Sequence, residues 1–274
     1  MAQATDFSIS SGSAALAARR VGSGQPLICL HAGVGDLRMF AGQMGPLGEQ
    51  MEVFAYDRRG FGKTLTPNEP FSHVDDLLAV IDAIGGPPSI LLGCSQGGRI
   101  AIDLALAFPG RVAALILIGT AISGAPAEPI PDYVKGLASE LEEAEDAEDV
   151  DRINPLDARI WLDGPTSPEG RVSGPLRELF LDMNRIALEH AELDQRREPP
   201  DAFNRLAEIS VPVLLMHGSL DFHYIIDRHA HLATVFPDAE TAILEGAAHL
   251  PTMEMPDRVN DRILDFCRRR RLVG

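Results

Sequence analysis

Ser89-Ile90-Leu91-Leu92-Gly93-Cys94-Ser95-Gln96-Gly97-Gly98 is the stretch on which the reading of this chain turns. A short apolar run ends in a serine flanked by glycines, and Ile100, Leu104, Ala105 and Phe108 then recur at helical spacing. The pattern is a strand, a sharp turn and a helix. A nucleophile carried on such a turn has strained backbone angles, and glycines stand where side chains would strike the neighbouring strand and helix. Ser95 is therefore expected to project above a sheet at a helix N-terminus. A glycine-rich turn can also cradle a phosphate or simply pack tightly. The GxGxxG spacing and the P-loop lysine are both missing here, which favours the nucleophile. Cys94 is intrinsically the stronger nucleophile, but the central position belongs to Ser95, so Cys94 reads as a small apolar packing residue.

Working outward, Leu27–Leu30, Val53–Tyr56, Ile90–Cys94 and Val112–Ile118 are short runs rich in branched residues, bounded by Gly, Pro, Asp or Arg. Runs of this kind suit strands buried on both faces of a mostly parallel sheet. Helices are expected between them. The clearest covers 72–84, where Val74, Leu77, Leu78 and Ile81 follow Ser72 and Asp75 in capping-box positions and Gly85-Gly86 stop the helix. After Thr120 the rhythm breaks, and strands return only at 211–217 and 241–244. The stretch 123–209 thus reads as a helical insertion, a cap, between two parts of one core, 1–122 and 210–274. Its helical pieces include 175–192, with Leu176, Leu179, Phe180, Met183 and Ile186 along one side. Its acidic run, 140–151, reads as a solvated helix face, since it lacks a calcium-loop pattern.

A serine attacks only with a base in reach and a third group to orient that base. Among eight histidines, His249 lies in a loop of small residues between the last strand and the last helix, where an imidazole can reach back over the sheet. His31 and His217 each end a strand and read as loop ties. His223, His229 and His231 read as surface residues, because positions two apart on a helix face different ways and no carboxylate completes a metal site. Asp221 follows the run 213–217 and is the favoured orienting acid. Asp57 and Asp227 compete, each more simply a turn or a helix start. The segment Leu30-His31-Ala32-Gly33-Val34-Gly35 is expected to supply one backbone N–H for an oxyanion, from Gly33 or, second, Val34. Gln96 is expected to supply the other.

Together these pieces resemble the α/β-hydrolase family, whose order along the chain is serine, acid, histidine. Asp57-Arg58-Arg59-Gly60-Phe61-Gly62-Lys63-Thr64 is similar to its DxRGxGxS segment, and Ala248-His249-Leu250-Pro251-Thr252-Met253-Glu254-Met255-Pro256 to its histidine loop. Within the family, the wording is similar to that of 3-oxoadipate enol-lactonases and related small-ester hydrolases. Departures are His31-Ala32 for His-Gly, Thr64 for Ser, and Gln96 where Met or Leu is common. The resemblance implies an α/β-hydrolase fold, with a mostly parallel central sheet flanked by helices. It also implies a serine hydrolase of a small ester or lactone, with Ser95, Asp221 and His249 catalytic. In the cap, Trp161, Phe180 and Met183 are candidate apolar lining for the acyl pocket, with a place in the core as the other reading of each. A carbon–carbon hydrolase of a diketone would use the same three residues. A non-catalytic ligand-binding protein on the same fold is the rival of another class.

Composition narrows the partners. A formal charge of −16 opposes binding to a phosphate backbone, so no nucleic acid is expected. Arg268–Arg271 read as a cationic helix end. Three widely spaced cysteines suggest neither a disulfide framework nor a metal site. No cofactor or metal and no membrane span are expected. The expectation is a cytoplasmic protein, a monomer or small homo-oligomer, acting on a small molecule.

Overall fold

The apolar runs form six parallel strands, and two further strands extend the sheet antiparallel at one edge. The computed structural model describes residues 3–191 and 193–273. In chain order the strands are β1 (Thr5–Ser11), β2 (Ala14–Val21), β3 (Pro26–Leu30), β4 (Glu52–Tyr56), β5 (Ser89–Cys94), β6 (Val112–Ile118), β7 (Val213–Gly218) and β8 (Ala239–Leu244). They lie in the order β1-β2-β4-β3-β5-β6-β7-β8, with β1–β2 and β2–β4 antiparallel and every other pair parallel. Helices α1 (Ala41–Gly48), α2 (His73–Ile84) and α3 (Gln96–Ala107) link the first strands. Between β6 and β7 come α4 (Lys135–Asp146), α5 (Val150–Asp157) and α6 (Pro175–Leu188), and the chain closes with α7 (His223–Val235), α8 (Pro251–Glu254) and α9 (Pro256–Arg269). This is the α/β-hydrolase architecture.

Each central strand feeds two cores. Leu27 and Cys29 of β3 join one apolar cluster with Leu47 of α1 and Ile263 of α9, while Ile28 and Leu30 join another with Leu77 of α2 and Ile100 of α3. Burial on both faces is why these strands read as unbroken apolar runs, and each buried Leu or Ile contributes about 1.5–3 kcal/mol. The Ser72 cap forms as the sequence indicates, its Oγ accepting the Asp75 N–H at 3.0 Å.

The chain order reverses at β3, which has β4 on one side and β5 on the other. At such a switch point, loops leaving neighbouring strands diverge and open a crevice at the carboxyl ends. The loops after β3 and β5 flank it. The segment between β6 and β7 lies over this end. Its α5 and α6 are joined where Asn184 Nδ2 donates to Asn154 Oδ1 at 3.1 Å and to Asp157 Oδ2 at 2.8 Å. Helix α6 ends at Leu188, short of the expected 192, and Glu192 lies outside the described residues. A 3-10 turn at Phe203–Glu208 packs its Leu206 into the α2–α3 cluster. No helix among the described residues is long and apolar enough to cross a membrane.

Candidate active site

Ser95 sits between β5 and α3 with φ 52° and ψ −114°, a conformation that L residues adopt at a cost of about 1–3 kcal/mol. The frame around it enforces that cost. Ser95 N–H donates to the Ile118 carbonyl at 2.9 Å, and the Ser95 carbonyl accepts from Gly98 and Ala121 at 3.0 and 3.1 Å. A side chain on Gly97 would collide with the Leu30 carbonyl, and one on Gly98 with the Thr120 hydroxyl. Cys94 is buried, and burial pushes its thiol up to about 12, so the neighbouring sulfur stays a packing group.

His249 follows β8 in the loop that leads into α8. Its Nδ1 lies 2.8 Å from Asp221 Oδ2, and both side chains are buried. An ionised carboxylate only accepts, so the ring donates through Nδ1 and keeps the Nε2 lone pair for another proton. Asp221 is itself fixed, its Oδ1 accepting the Phe222 N–H at 2.8 Å. Gly119 makes room for the pair: a Cβ there would meet the His249 ring at 3.0 Å and Asp221 Oδ2 at 3.3 Å. The imidazole ring also packs on Trp161, with centroids 4.8 Å apart. The histidine loop is braced from below, where Glu254 accepts the Ala248 N–H at 2.9 Å.

On the opposite side, the bend after β3 is closed by a hydrogen bond from Gly35 N–H to the Ala32 carbonyl at 3.4 Å, which leaves Gly33 and Val34 at its apex. Gln96 heads α3, so its N–H is one of the four that no helical partner satisfies. Its side chain lies against Gly33, with Nε2 2.6 Å from where a Cβ on Gly33 would stand. A buried guanidinium ties both segments together. Arg58 donates through Nη2 to the Ala32 carbonyl at 3.1 Å and through Nη1 to Gln96 Oε1 at 3.4 Å, and its backbone N–H donates to His31 Nε2 at 3.0 Å. Burial holds His31 well below the usual imidazole range, so it is neutral and acts as an acceptor at Nε2.

These groups converge on one cavity of about 310 Å³, whose walls include Gly33, Val34, Ser95, Gln96, Trp161 and His249. Asp221 stands behind His249. Phe180 and Met183 require correction as lining residues. Both are fully buried in the apolar cluster on one face of the sheet, because α6 turns that side onto the β3 loop, and Met183 Cε lies 3.9 Å from where a Cβ on Gly35 would stand. Trp161 does line the cavity, from a π-helical stretch at Ala158–Asp163, a wide turn that often marks functional sites.

His229, read from sequence as a surface residue, is buried and accepts the Thr120 N–H through Nε2 at 3.0 Å. Burial brings it down to about 3, so it is neutral. The two-residue spacing with exposed His231 was the clue: if one faces solvent, the other faces in. Tyr224 and Arg228, on the first turns of α7, also line the cavity and were not singled out in sequence. Among the described residues no cluster of histidine, cysteine or acidic side chains could hold a metal ion.

Comparison with known proteins gives this geometry its context. The alpha/beta hydrolase family model matches residues 27–262. The AB hydrolase superfamily protein YisY of Bacillus subtilis is 30% identical over 258 residues, covering 90% of this chain and 92% of that protein. The pimeloyl-[acyl-carrier protein] methyl ester esterase of Nitrosospira multiformis is 27% identical and covers 94% of this chain and 100% of its own length. The solved structure of a thermophilic esterase from Thermogutta terrifontis superposes with a TM-score of 0.77 at 24% identity, over 98% of this chain and 99% of that one, a likeness of fold. By motif, architecture and family match together, the chain belongs to the alpha/beta hydrolase family.

Proposed function

We propose that the protein is a serine hydrolase that cleaves a small carboxylic ester or lactone through an acyl-enzyme. The observation that carries this reading is the 2.8 Å contact of His249 with Asp221, on a cavity that Ser95 also lines. His249 Nε2 takes the Ser95 proton as the oxygen attacks the carbonyl carbon. The tetrahedral oxyanion accepts hydrogen bonds from the N–H groups of Gly33 and Gln96, with Val34 as the alternative to Gly33. Collapse expels the alkoxide, which takes the proton from His249. Water, deprotonated by the same imidazole, then releases the acid. Asp221 holds the ring's tautomer and stabilises the imidazolium without taking the proton.

Residues 123–209 act as the cap, with Trp161 as its contribution to the substrate pocket. The esterase named among the relatives supports the ester class. Lactones of the enol-lactone type are the second substrate class, on the strength of the motif wording. A fluorophosphonate probe followed by peptide mapping is expected to label Ser95. Ser95→Ala is expected to lower p-nitrophenyl acetate hydrolysis by at least about a thousandfold. Label elsewhere, or an alanine variant that keeps its activity, would overturn the assignment.

A further inference from the structure

Among the described residues, one basic side chain, Arg228, lines the cavity that holds Ser95 and His249, and its position bears on the substrate. Arg228 lines that cavity and also a larger neighbouring one of about 640 Å³. Ala121, Trp161 and Tyr224 are the other residues common to both, so Arg228 stands at their junction. Its side chain is only 15% exposed, yet its contacts are long. Nη1 reaches the Thr120 carbonyl at 3.5 Å, Nη2 stands 3.9 Å from Glu128 Oε1, and the guanidinium carbon lies 5.4 Å from the Tyr224 ring centre.

A guanidinium carries five N–H donors in a planar fork that matches a carboxylate edge to edge. Two long contacts leave most of that capacity unused. No carboxylate lines the inner cavity among the described residues, and Asp221 is engaged with His249. The outer cavity differs. Glu128, Glu142 and Glu145 line it beside apolar Ile130, Val134 and Leu141. An anionic group lodged far out would meet like charge, so the favourable place for one is confined to the junction.

We propose that Arg228 gives this site a preference for esters and lactones bearing a carboxylate a few bonds from the scissile carbonyl, as in half-esters of short diacids. The carboxylate displaces Glu128 from the guanidinium and docks on Arg228, while the apolar portion of the substrate extends into the outer cavity. The proposal rests on the serine-hydrolase reading for its catalytic step, but its binding part does not need turnover.

The test compares monoethyl glutarate with its neutral counterpart, ethyl pentanoate. The unaltered protein is expected to show the higher kcat/KM on the half-ester. In Arg228→Gln the ratio of the two is expected to fall by about tenfold or more, through KM of the half-ester, the size of one charge-assisted hydrogen bond. Arg228→Lys is expected to restore part of the ratio. An unaltered protein that prefers the neutral ester, or an Arg228→Gln variant that loses both activities in equal proportion, would show that Arg228 braces the wall and reads no charge. Binding separates this proposal from the catalytic one. On Ser95→Ala protein, glutarate is expected to raise the thermal midpoint, and Arg228→Gln in that background is expected to abolish the shift. A glutarate effect in protein whose esterase activity proves independent of Ser95 would sink the catalytic reading and keep the anion subsite. An active, Ser95-dependent enzyme indifferent to glutarate would do the reverse.

Discussion

The two sides of the cavity are held in different ways. The side made by the β3 bend and the head of α3 is tied down by Arg58, which is 1% exposed and bonds to the Ala32 carbonyl and the Gln96 side chain at once. Across from it, Ala121 is held by its N–H bond to the Ser95 carbonyl at 3.1 Å, while Trp161 and Tyr224 rely on aromatic packing and Arg228 on contacts of 3.5 and 3.9 Å. Beyond it the chain carries exposed Ile130 and Tyr133. On the serine-hydrolase reading the contrast is a division of labour: the groups proposed to meet a developing charge are tied by a buried guanidinium, while those proposed to meet the variable part of a substrate are held by packing and longer polar contacts.

The greatest loss after removal of the serine itself is expected from Asp221→Asn, at about 10⁴-fold in kcat, since an amide can hold the imidazole in the wrong tautomer. A loss confined to about tenfold, measured on p-nitrophenyl acetate, would mean that Asp221 only fills space. On the braced side, Arg58→Met is expected to lower kcat by about 10–100-fold, somewhat less than the loss of an oxyanion donor outright. Its signature is a fall in kcat with a smaller change in KM, and weakened inhibition by a boronic acid that mimics the tetrahedral state. Equal losses of affinity for that inhibitor and for product would mark a general loosening of the fold, and circular dichroism checks for unfolding. On the loose side, Trp161→Ala is expected to have the smallest effect. KM should rise by about threefold to tenfold, the worth of about 1 kcal/mol of aromatic contact, and kcat should change less. A larger fall in kcat than rise in KM would move Trp161 to the chemical side of the divide, through its packing on His249.

Much of this was legible in the chain itself, for reasons that particular residues make plain. Strands β3, β5 and β6 are buried on both faces and therefore appear as continuous apolar runs. The β1–β2 hairpin escaped notice. In β2 alanines occupy both faces, Ala14 and Ala18 inward and Ala15 and Ala17 partly outward, which erases the alternation. In β1 an inward position is Ser11, paired with Asp76 at 2.6 Å, where an apolar residue would have signalled a strand. Asp221 and His249 could be placed because each follows a strand in a short loop. Arg58 and Arg228 could not, because arginine is a surface residue by default and only a folded neighbourhood reveals one that is enclosed. Phe180 and Met183 show the converse error. Apolar spacing identified the buried stripe of α6 but could not say whether it faced substrate or protein.

The backbone cost at the elbow belongs to the turn and not to the hydroxyl it presents. A φ of 52° and a ψ of −114° would burden cysteine or aspartate at position 95 much as they burden serine, whereas Gly97 and Gly98 have no room for even a methyl group. A lineage carrying this frame can therefore exchange the side chain presented at position 95 through a single codon without redrawing the turn. The glycines that support that freedom are themselves closed to drift.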